Sequence, residues 1–355
     1  MKVGIIGCGV ISDRYADNAP AFDSFELAAC ADADDLAAAR LAAKHNLVAM
    51  SLDELLADEA LEAVLNLTPP DAHGAVIRQA LLAGKHVYSE KPLATTTAEA
   101  AELVAEADRR GLRLGCAPDI FLGSAYQRAR ALVDEGAIGE PLSACAAMLV
   151  GSQGGWHPNA DIFYRDGAGP LLDMGPYYLT ALVALLGPVE RAAGFASTRM
   201  LERTIEVGPR AGERFAAQTP THTAALLELA DGVTVGLIAS FEATGQYVCE
   251  LEIHGTEGIL VLPDPNSFGG SLRLRQGRKE WRDVPYETGG PRDARGIGLS
   301  DLAEAIVDDR PHRASSRLAL HVVDVARSIL AAAAERRTID VSTSVTRPEP
   351  ISADG

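Results

Sequence analysis

The chain has 355 residues, 47% apolar and 23% charged, the balance of a globular protein and not of a disordered, fibrous or membrane-spanning one. Its 49 acidic residues against 32 basic ones leave a formal charge of −17, which repels phosphate backbones and anionic lipid and so excludes nucleic acid and membrane surfaces as expected partners. The length predicts about two domains. Five cysteines, Cys8, Cys30, Cys116, Cys145 and Cys249, form an odd set without a CxxC pair and read as buried reduced thiols. The apolar run Val3–Cys8 is too short and too glycine-rich for an export segment, and no later stretch approaches the roughly twenty apolar residues of a spanning helix. A cytoplasmic protein is expected.

From residue 1 to about 118, short β-branched runs alternate with Ala/Leu/Glu-rich stretches. Strands are predicted over Lys2–Ile6, Phe25–Ala31, Ala63–Leu67, His86–Tyr88 and Arg113–Ala117. Helices are predicted through Arg14 and over Asp34–His45, Ala72–Ala83 and Thr97–Arg110. Ser51 with Glu54 makes a capping box, and Gly84 and Gly111 stand where helices end. This alternation is the pattern of a doubly wound parallel sheet, a Rossmann domain spanning 1–118.

After Pro118 the pattern changes. A helix (Gly123–Glu135) and a strand (Ser143–Val150) lead to a Gly- and aromatic-rich loop, Gly151–Gly169, and a helix from Pro170 to Leu186. Strands with short turns follow, among them Thr221–Leu229, Val233–Phe241, Val248–His254 and Gly258–Leu262, then helices near Ile297–Asp308 and Ser315–Glu335, a short strand and a loose tail. Residues 119–355 therefore read as an α+β domain with a mainly antiparallel, open-faced sheet. If helices cover one face, a second copy of the chain is the natural cover for the other, so a homodimer or homotetramer through that sheet is expected.

The first chemical motif is Gly7-Cys8-Gly9-Val10-Ile11-Ser12, between an apolar strand and a helix. Its glycines allow a tight turn and close approach of a pyrophosphate, and Val10 and Ile11 open the helix whose N-terminus faces it. Ser12 takes the place of the usual third glycine or alanine, which predicts slightly looser packing of helix on strand. Asp32 ends the second strand, 25 residues beyond Gly7, where a carboxylate accepts ribose hydroxyls and repels a 2′-phosphate. The cofactor expected is NAD in preference to NADP. Thr68-Pro69-Pro70 with His73 follows a later strand, at the edge where doubly wound sheets hold ligands. Ser89-Glu90-Lys91-Pro92 follows the next strand, where a lysine can donate to a substrate oxygen, Glu90 can orient it, and Pro92 imposes a cis bond or rigid turn.

These residues carry a resemblance. Gly7-x-Gly9, Asp32, Thr68-Pro69-Pro70-x-x-His73, Gly84-Lys85-His86-Val87 and Glu90-Lys91-Pro92 at these spacings resemble the Gfo/Idh/MocA oxidoreductases, the glucose–fructose oxidoreductase and inositol dehydrogenase family. The resemblance implies NAD(P) in the first domain, a sugar or polyol between the domains, dimers or tetramers through the sheet, and a catalytic role for Lys91. It also implies an Asp-x-x-x-His on the first long helix of the second domain. Asp173 matches, and Tyr177 stands where histidine is expected.

That departure leaves three readings: Tyr177 acts as acid/base with Lys91, a histidine does so, or the chemistry has been lost and the chain is a silent NAD- or sugar-binding sensor. On the predicted helix Asp173 and Tyr177 share one face, so both can point into one cleft. The candidate histidines are His157, in the loop Gly154-Gly155-Trp156-His157, where Trp156 can stack on a sugar ring, and His222, which starts a strand and reads as structural. Tyr178 reads as core. No ligand cluster for a metal is seen. The function expected is an NAD-dependent dehydrogenase or reductase acting on a secondary alcohol or ketone of a neutral sugar, inositol or related polyol, with Lys91, Asp173, Tyr177 and His157 as catalytic candidates.

Overall fold

The computed structural model describes residues 1–244, 248–290 and 293–351. The chain forms two compact units: Met1–Gly123 with Thr288–Val323, and Ser124–Glu287 with Asp324–Gly355.

The first unit opens with β1 (Lys2–Ile6), α1 (Val10–Asn18), β2 (Glu26–Ala31), α2 (Asp35–His45), β3 (Val48–Ala49) and α3 (Leu52–Ala57). It continues with β4 (Ala63–Asn66), α4 (His73–Leu82), β5 (His86–Ser89), α5 (Thr97–Arg110) and β6 (Leu114–Cys116). The predicted strands and helices of this region are all present. The strands form one sheet in the order β3-β2-β1-β4-β5-β6, all parallel. Every residue of β4 and β6 is buried, as a sheet covered on both faces requires. The reversal of strand order between β1 and β4 is the crevice where such sheets take ligands. Local signals hold: Ser51 and Glu54 make the capping box, and Gly111 closes α5 at φ 65°.

The second unit contains α6 (Ser124–Asp134), β7 (Pro141–Leu149), α7 (Pro170–Asp173), α8 (Gly175–Leu186), β8 (Val189–Ser197), β9 (Glu202–Thr204) and β10 (Arg214–Ala216). After these come β11 (His222–Leu229), β12 (Thr234–Ser240), β13 (Val248–Gly255), β14 (Gly258–Leu262), β15 (Arg273–Gln276) and β16 (Arg282–Asp283). The helix Ile297–Val307 (α9) belongs to the first unit, Ser316–Glu335 (α10) begins there and ends in the second, and Ile339–Asp340 (β17) closes the fold. Nine strands form one sheet, β16-β15-β14-β13-β7-β12-β11-β8-β17, antiparallel except for the parallel pair β7 and β12. Buried and open positions alternate along β11: Thr223, Ala225, Leu227 and Leu229 face inward, while Leu226 is 69% exposed.

Three expectations change. The boundary expected at Pro118, with everything after it in one domain, gives way to a first unit that runs to Gly123 and takes in 288–323. The return is held by specific contacts: Asp119 Oδ2 accepts the N–H of Gly296 and of Gly298 at 3.2 Å, and Cys116 N–H reaches Ala314 O at 3.0 Å. Gly115 permits the approach, since a Cβ there would lie 2.9 Å from Leu302 Cδ1. The single helix expected over Pro170–Leu186 is two, broken at Met174, because Gly175 and Pro176 begin α8 and proline has no N–H for a continued ladder. Finally, Cys8, Cys30 and Cys116 are buried, but Cys145 is exposed on the open face of β7, and the side chain of Cys249 lies outside the described residues, as do the tail residues 352–355.

Candidate active site

The first unit gathers Gly7, Gly9, Val10, Ile11, Asp32, Thr68, Pro69, His73, Glu90 and Lys91 at the C-terminal ends of β1, β2, β4 and β5. Here the parallel ladder runs one residue past each strand: Gly7 N–H donates to Ala31 O at 2.9 Å, Leu67 N–H to Ile6 O at 2.7 Å and Glu90 N–H to Asn66 O at 2.8 Å. Gly7 adopts φ 99°, and a Cβ there would lie 2.6 Å from the Leu67 carbonyl carbon, so the turn admits only glycine. Gly9 is different: a Cβ would meet nothing within 4 Å, so space stands open above it. Gly9 also caps α1 with no side chain bonded to the helix N-terminus, and Val10 behind it is 87% exposed. An uncapped helix start over open space, with an apolar side chain beside it, is suited to a pyrophosphate and its ring systems.

Ser12 is fully buried and donates its hydroxyl to Gly9 O at 2.6 Å, which satisfies the one polar group the missing glycine introduces. Asp32 receives the N–H of Cys8 on Oδ2 at 2.6 Å and that of Asp34 on Oδ1 at 2.8 Å. Each carboxylate oxygen keeps lone pairs for further donors, so the residue holds the glycine turn and can also receive ribose hydroxyls. Beneath the turn Cys8 and Cys30 are free thiols, and Cys8 Sγ donates to Ala31 O at 3.5 Å; the hydrogen bond with the Cys30 thiol and then burial push the Cys8 thiol up, so it stays protonated.

Asn66 joins the next two loops. Its Oδ1 accepts the Thr68 hydroxyl at 2.7 Å, and its Nδ2 donates to Ser89 Oγ at 3.1 Å. His73 was expected to help bind the cofactor, and its geometry assigns it another task. The ring is 1% exposed, with Nδ1 2.6 Å from Pro92 O and Nε2 2.7 Å from Thr68 O, so it clamps the two loops together and has no edge left for a ligand. Burial pulls its pKa down, against the two carbonyls that hold protons on it. The Lys91–Pro92 bond is cis. Glu90, 8% exposed, accepts the backbone N–H of Lys91 on Oε2 and the hydroxyl of Tyr15 on Oε1. Asn66 and Tyr15 were not assigned roles from sequence; Tyr15 lies three residues after Ser12, on the same buried side of α1.

In the second unit, residues 151–169 form a packed loop. Tyr164 is fully buried and its hydroxyl accepts Gln153 N–H at 3.1 Å, while Arg210 braces the loop through Asp161 at 2.8 Å. Trp156, His157 and Phe163 form a cluster with centroids 5.1–5.8 Å apart, His157 edge-on to both others and Trp156 tilted against Phe163, and Trp156 stays 62% exposed. His157 Nδ1 accepts the Asn159 N–H at 3.1 Å. Its neutral ring therefore carries the proton on Nε2 and presents a donor outward. Asp173 ends α7 and Tyr177 lies in the first turn of α8, 7% exposed, so the two do not share one continuous helical face. Tyr178 is fully buried with its hydroxyl 3.3 Å from Asp264 Oδ1, as expected for a core residue. His222 opens β11.

Residues 1–117 match the model of an oxidoreductase family with an NAD-binding Rossmann fold, and residues 126–261 match the C-terminal domain of the same Gfo/Idh/MocA family. The chain belongs to the Gfo/Idh/MocA oxidoreductases. It is thus an NAD-binding oxidoreductase, as the strand-end motifs implied. It is 34% identical to a dTDP-3,4-didehydro-2,6-dideoxy-alpha-D-glucose 3-reductase from Saccharopolyspora spinosa, over 86% of this chain and 91% of that one. Against a D-xylose dehydrogenase from Paenarthrobacter nicotinovorans it is 27% identical, over 85% and 83% of the two chains. A crystal structure of an NAD binding oxidoreductase from Klebsiella pneumoniae shares its fold, with a TM-score of 0.85 at 24% identity, over 97% of this chain and 99% of that one. Among the described residues no helix is long and apolar enough to cross a membrane, and no group of three or more His, Cys, Asp or Glu is placed to hold a metal ion.

Proposed function

We propose that this Gfo/Idh/MocA protein interconverts a secondary alcohol and a ketone on a neutral sugar, inositol or related polyol, using NAD, with Lys91 as the catalytic lysine. The observation that carries this reading is the Glu90-Lys91-Pro92 loop, held at the end of β5 by Asn66, His73 and Tyr15, in the same unit as the open glycine turn at Gly9. Gly7, Gly9, Val10, Ile11, Thr68 and Pro69 would seat the dinucleotide, and Asp32 would receive its ribose hydroxyls and disfavour a 2′-phosphate. The bound nicotinamide supplies hydride transfer.

The chain's own side chains handle the proton. Lys91 donates to the reacting oxygen and Tyr177 exchanges the hydroxyl proton, with Asp173 orienting the pair. His157 serves as a hydrogen-bond donor to a substrate oxygen and not as the base, because its only lone-pair nitrogen already accepts the Asn159 N–H. Trp156, exposed and edge-packed on His157, offers a face for a sugar ring. Both relatives named above act on sugars by their names, one on D-xylose and one on a dTDP-linked, anionic sugar, which supports a sugar as substrate; the preference for a neutral one rests on the chain's net charge of −17.

The open face of the nine-stranded sheet supports association. Phe195 is 83% and Leu226 69% exposed, beside Ala193, Ala224 and Ile238 in paired register, an apolar patch suited to a second copy in a homodimer or homotetramer. Three buried thiols, together with NAD as cofactor, support a cytoplasmic setting.

The test is NADH formation, followed at its absorbance band, across a panel of aldoses, anhydro sugars and inositols, with the ketone forms supplied in the reverse direction. Turnover on at least one neutral member is expected. NADH binding with no turnover on any would instead identify the silent sensor.

A further inference from the structure

The Lys91 loop is tethered to the helix that begins at the glycine turn. Tyr15 projects from α1, is 1% exposed, and donates its hydroxyl to Glu90 Oε1 at 3.0 Å. The other oxygen of the same carboxylate, Oε2, accepts the backbone N–H of Lys91 at 3.1 Å. Glu90 is thus a two-pronged bridge, one prong on α1 and one on the lysine's own peptide. Burial, then the nearby Glu90 and Asp119, drive the Tyr15 phenol up, so it stays a neutral donor throughout the working pH range. A hydrogen bond to a buried carboxylate is stronger and more directional than one between neutral groups.

We propose that Tyr15 is a positioning residue that, through Glu90, sets the backbone of Lys91 relative to α1, so that the helix seating the dinucleotide and the lysine move as one body. The proposal rests on the reading of Lys91 as the catalytic lysine. It assigns Tyr15 no contact with substrate or cofactor; its effect passes through the Glu90 carboxylate. Removing the hydroxyl leaves the ring packing and the glycine turn intact and frees the Lys91 peptide on one side.

The experiment uses Tyr15→Phe in the full chain, with Tyr126→Phe as a control, since Tyr126 is equally buried and donates to Pro263 O, outside the first unit. The chain has five lysines, so reductive 13C-methylation gives few NMR signals, and Lys91→Arg identifies that of Lys91. For Tyr15→Phe the Lys91 signal is expected to move off its wild-type position while NADH affinity by fluorescence stays within about threefold. On a sugar that the wild type turns over, kcat is expected to fall about tenfold with KM little changed, the mark of a group felt mainly in the transition state. Tyr126→Phe should move neither. A Lys91 signal coincident with wild type, an unchanged kcat, or NADH affinity lost in step with kcat each overturns the proposal. If the wild type turns over no sugar, the functional reading fails while the NMR comparison still decides this one. Should Tyr15→Phe not fold, Glu90→Ala replaces it: both acceptors of the bridge are removed, so the Lys91 signal must again move, and a coincident signal refutes the bridge.

Discussion

The six-stranded sheet is buried on both faces and carries the residues proposed for its chemistry at the ends of its strands; the nine-stranded sheet is buried on one face, and the residues proposed for its chemistry lie in a loop and a helix start. In the first, parallel strands leave no room for polar side chains along their length, so Asp32, Asn66 and Glu90 collect where the backbone ladder runs out, and each spends oxygens or nitrogens on backbone and neighbouring groups. Those side chains are fixed before any ligand arrives. In the second, Trp156 stands 62% exposed and Tyr177 sits just past a helix break, while the sheet offers solvent an apolar face. Preorganisation belongs to the cofactor side, and adaptability to the residues proposed for the substrate. Two relatives that by their names act on different sugars, D-xylose and a dTDP-linked glucose derivative, fit that division.

The largest test of the fixed side is Lys91→Ala, expected to lower turnover about a thousand-fold with NADH affinity nearly intact, by parallel kinetics and fluorescence titration. On the adaptable side, Tyr177→Phe should cost about a hundred-fold in turnover; near-normal rates would transfer the proton to His157 and mean that its bond to Asn159 opens in use. Leu226→Glu on the open face should weaken self-association about a hundred-fold, read as a fall in molar mass by static light scattering over a dilution series. An unchanged mass would show that the face is not the interface. Asp32→Ala should weaken NAD about tenfold more than NADP, and equal loss of both would leave Asp32 only its role of holding the glycine turn.

Legibility in the sequence follows the same line. The glycine turn, Asp32 and the Glu90-Lys91-Pro92 loop can be read directly because each is a local signal at a strand end. The tasks of His73 and Tyr15 cannot, because they depend on partners 19 and 75 residues away. The return of 288–323 to the first unit rests on Asp119 meeting two backbone N–H groups some 177 residues on, which no local pattern announces. The helix break at Met174 is a different miss, since Gly175-Pro176 carried the signal, and the i, i+4 spacing of Asp173 and Tyr177 drew attention from it. Cys145 was expected to be buried because the stretch around it is small and apolar on both faces, so the alternation that would have placed it outward is blank.

The two units should also part company in acid. In the first, burial lowers the pKa of His73, His86 and His312, so each takes up its second proton less readily in the fold than in the unfolded chain. As pH falls below the ordinary histidine value of about 6.5, the unfolded chain takes up protons that the folded unit refuses, and stability drains away until the lowered folded pKa is reached. In the second unit the resolved shifts of groups that titrate in acid are of carboxylates. Burial raises Asp134, Asp161 and Glu242, but Arg130 and Arg347, Arg165 and Arg210, and the Thr221 hydroxyl with nearby backbone N–H groups outweigh it, and all three end lowered. Their stabilisation is complete above the ordinary carboxylate range of about 4 and is lost only as pH falls through the lower folded values. Between about pH 6.5 and 4.5 the first unit should therefore weaken while the second holds. Both tryptophans, Trp156 and Trp281, lie in the second unit, so their emission reports it alone, whereas far-ultraviolet circular dichroism reports both. On acid titration the dichroism should begin to fall at a higher pH than the tryptophan emission shifts; emission that leads or coincides would mean that the buried histidines do not set the acid limit of the first unit.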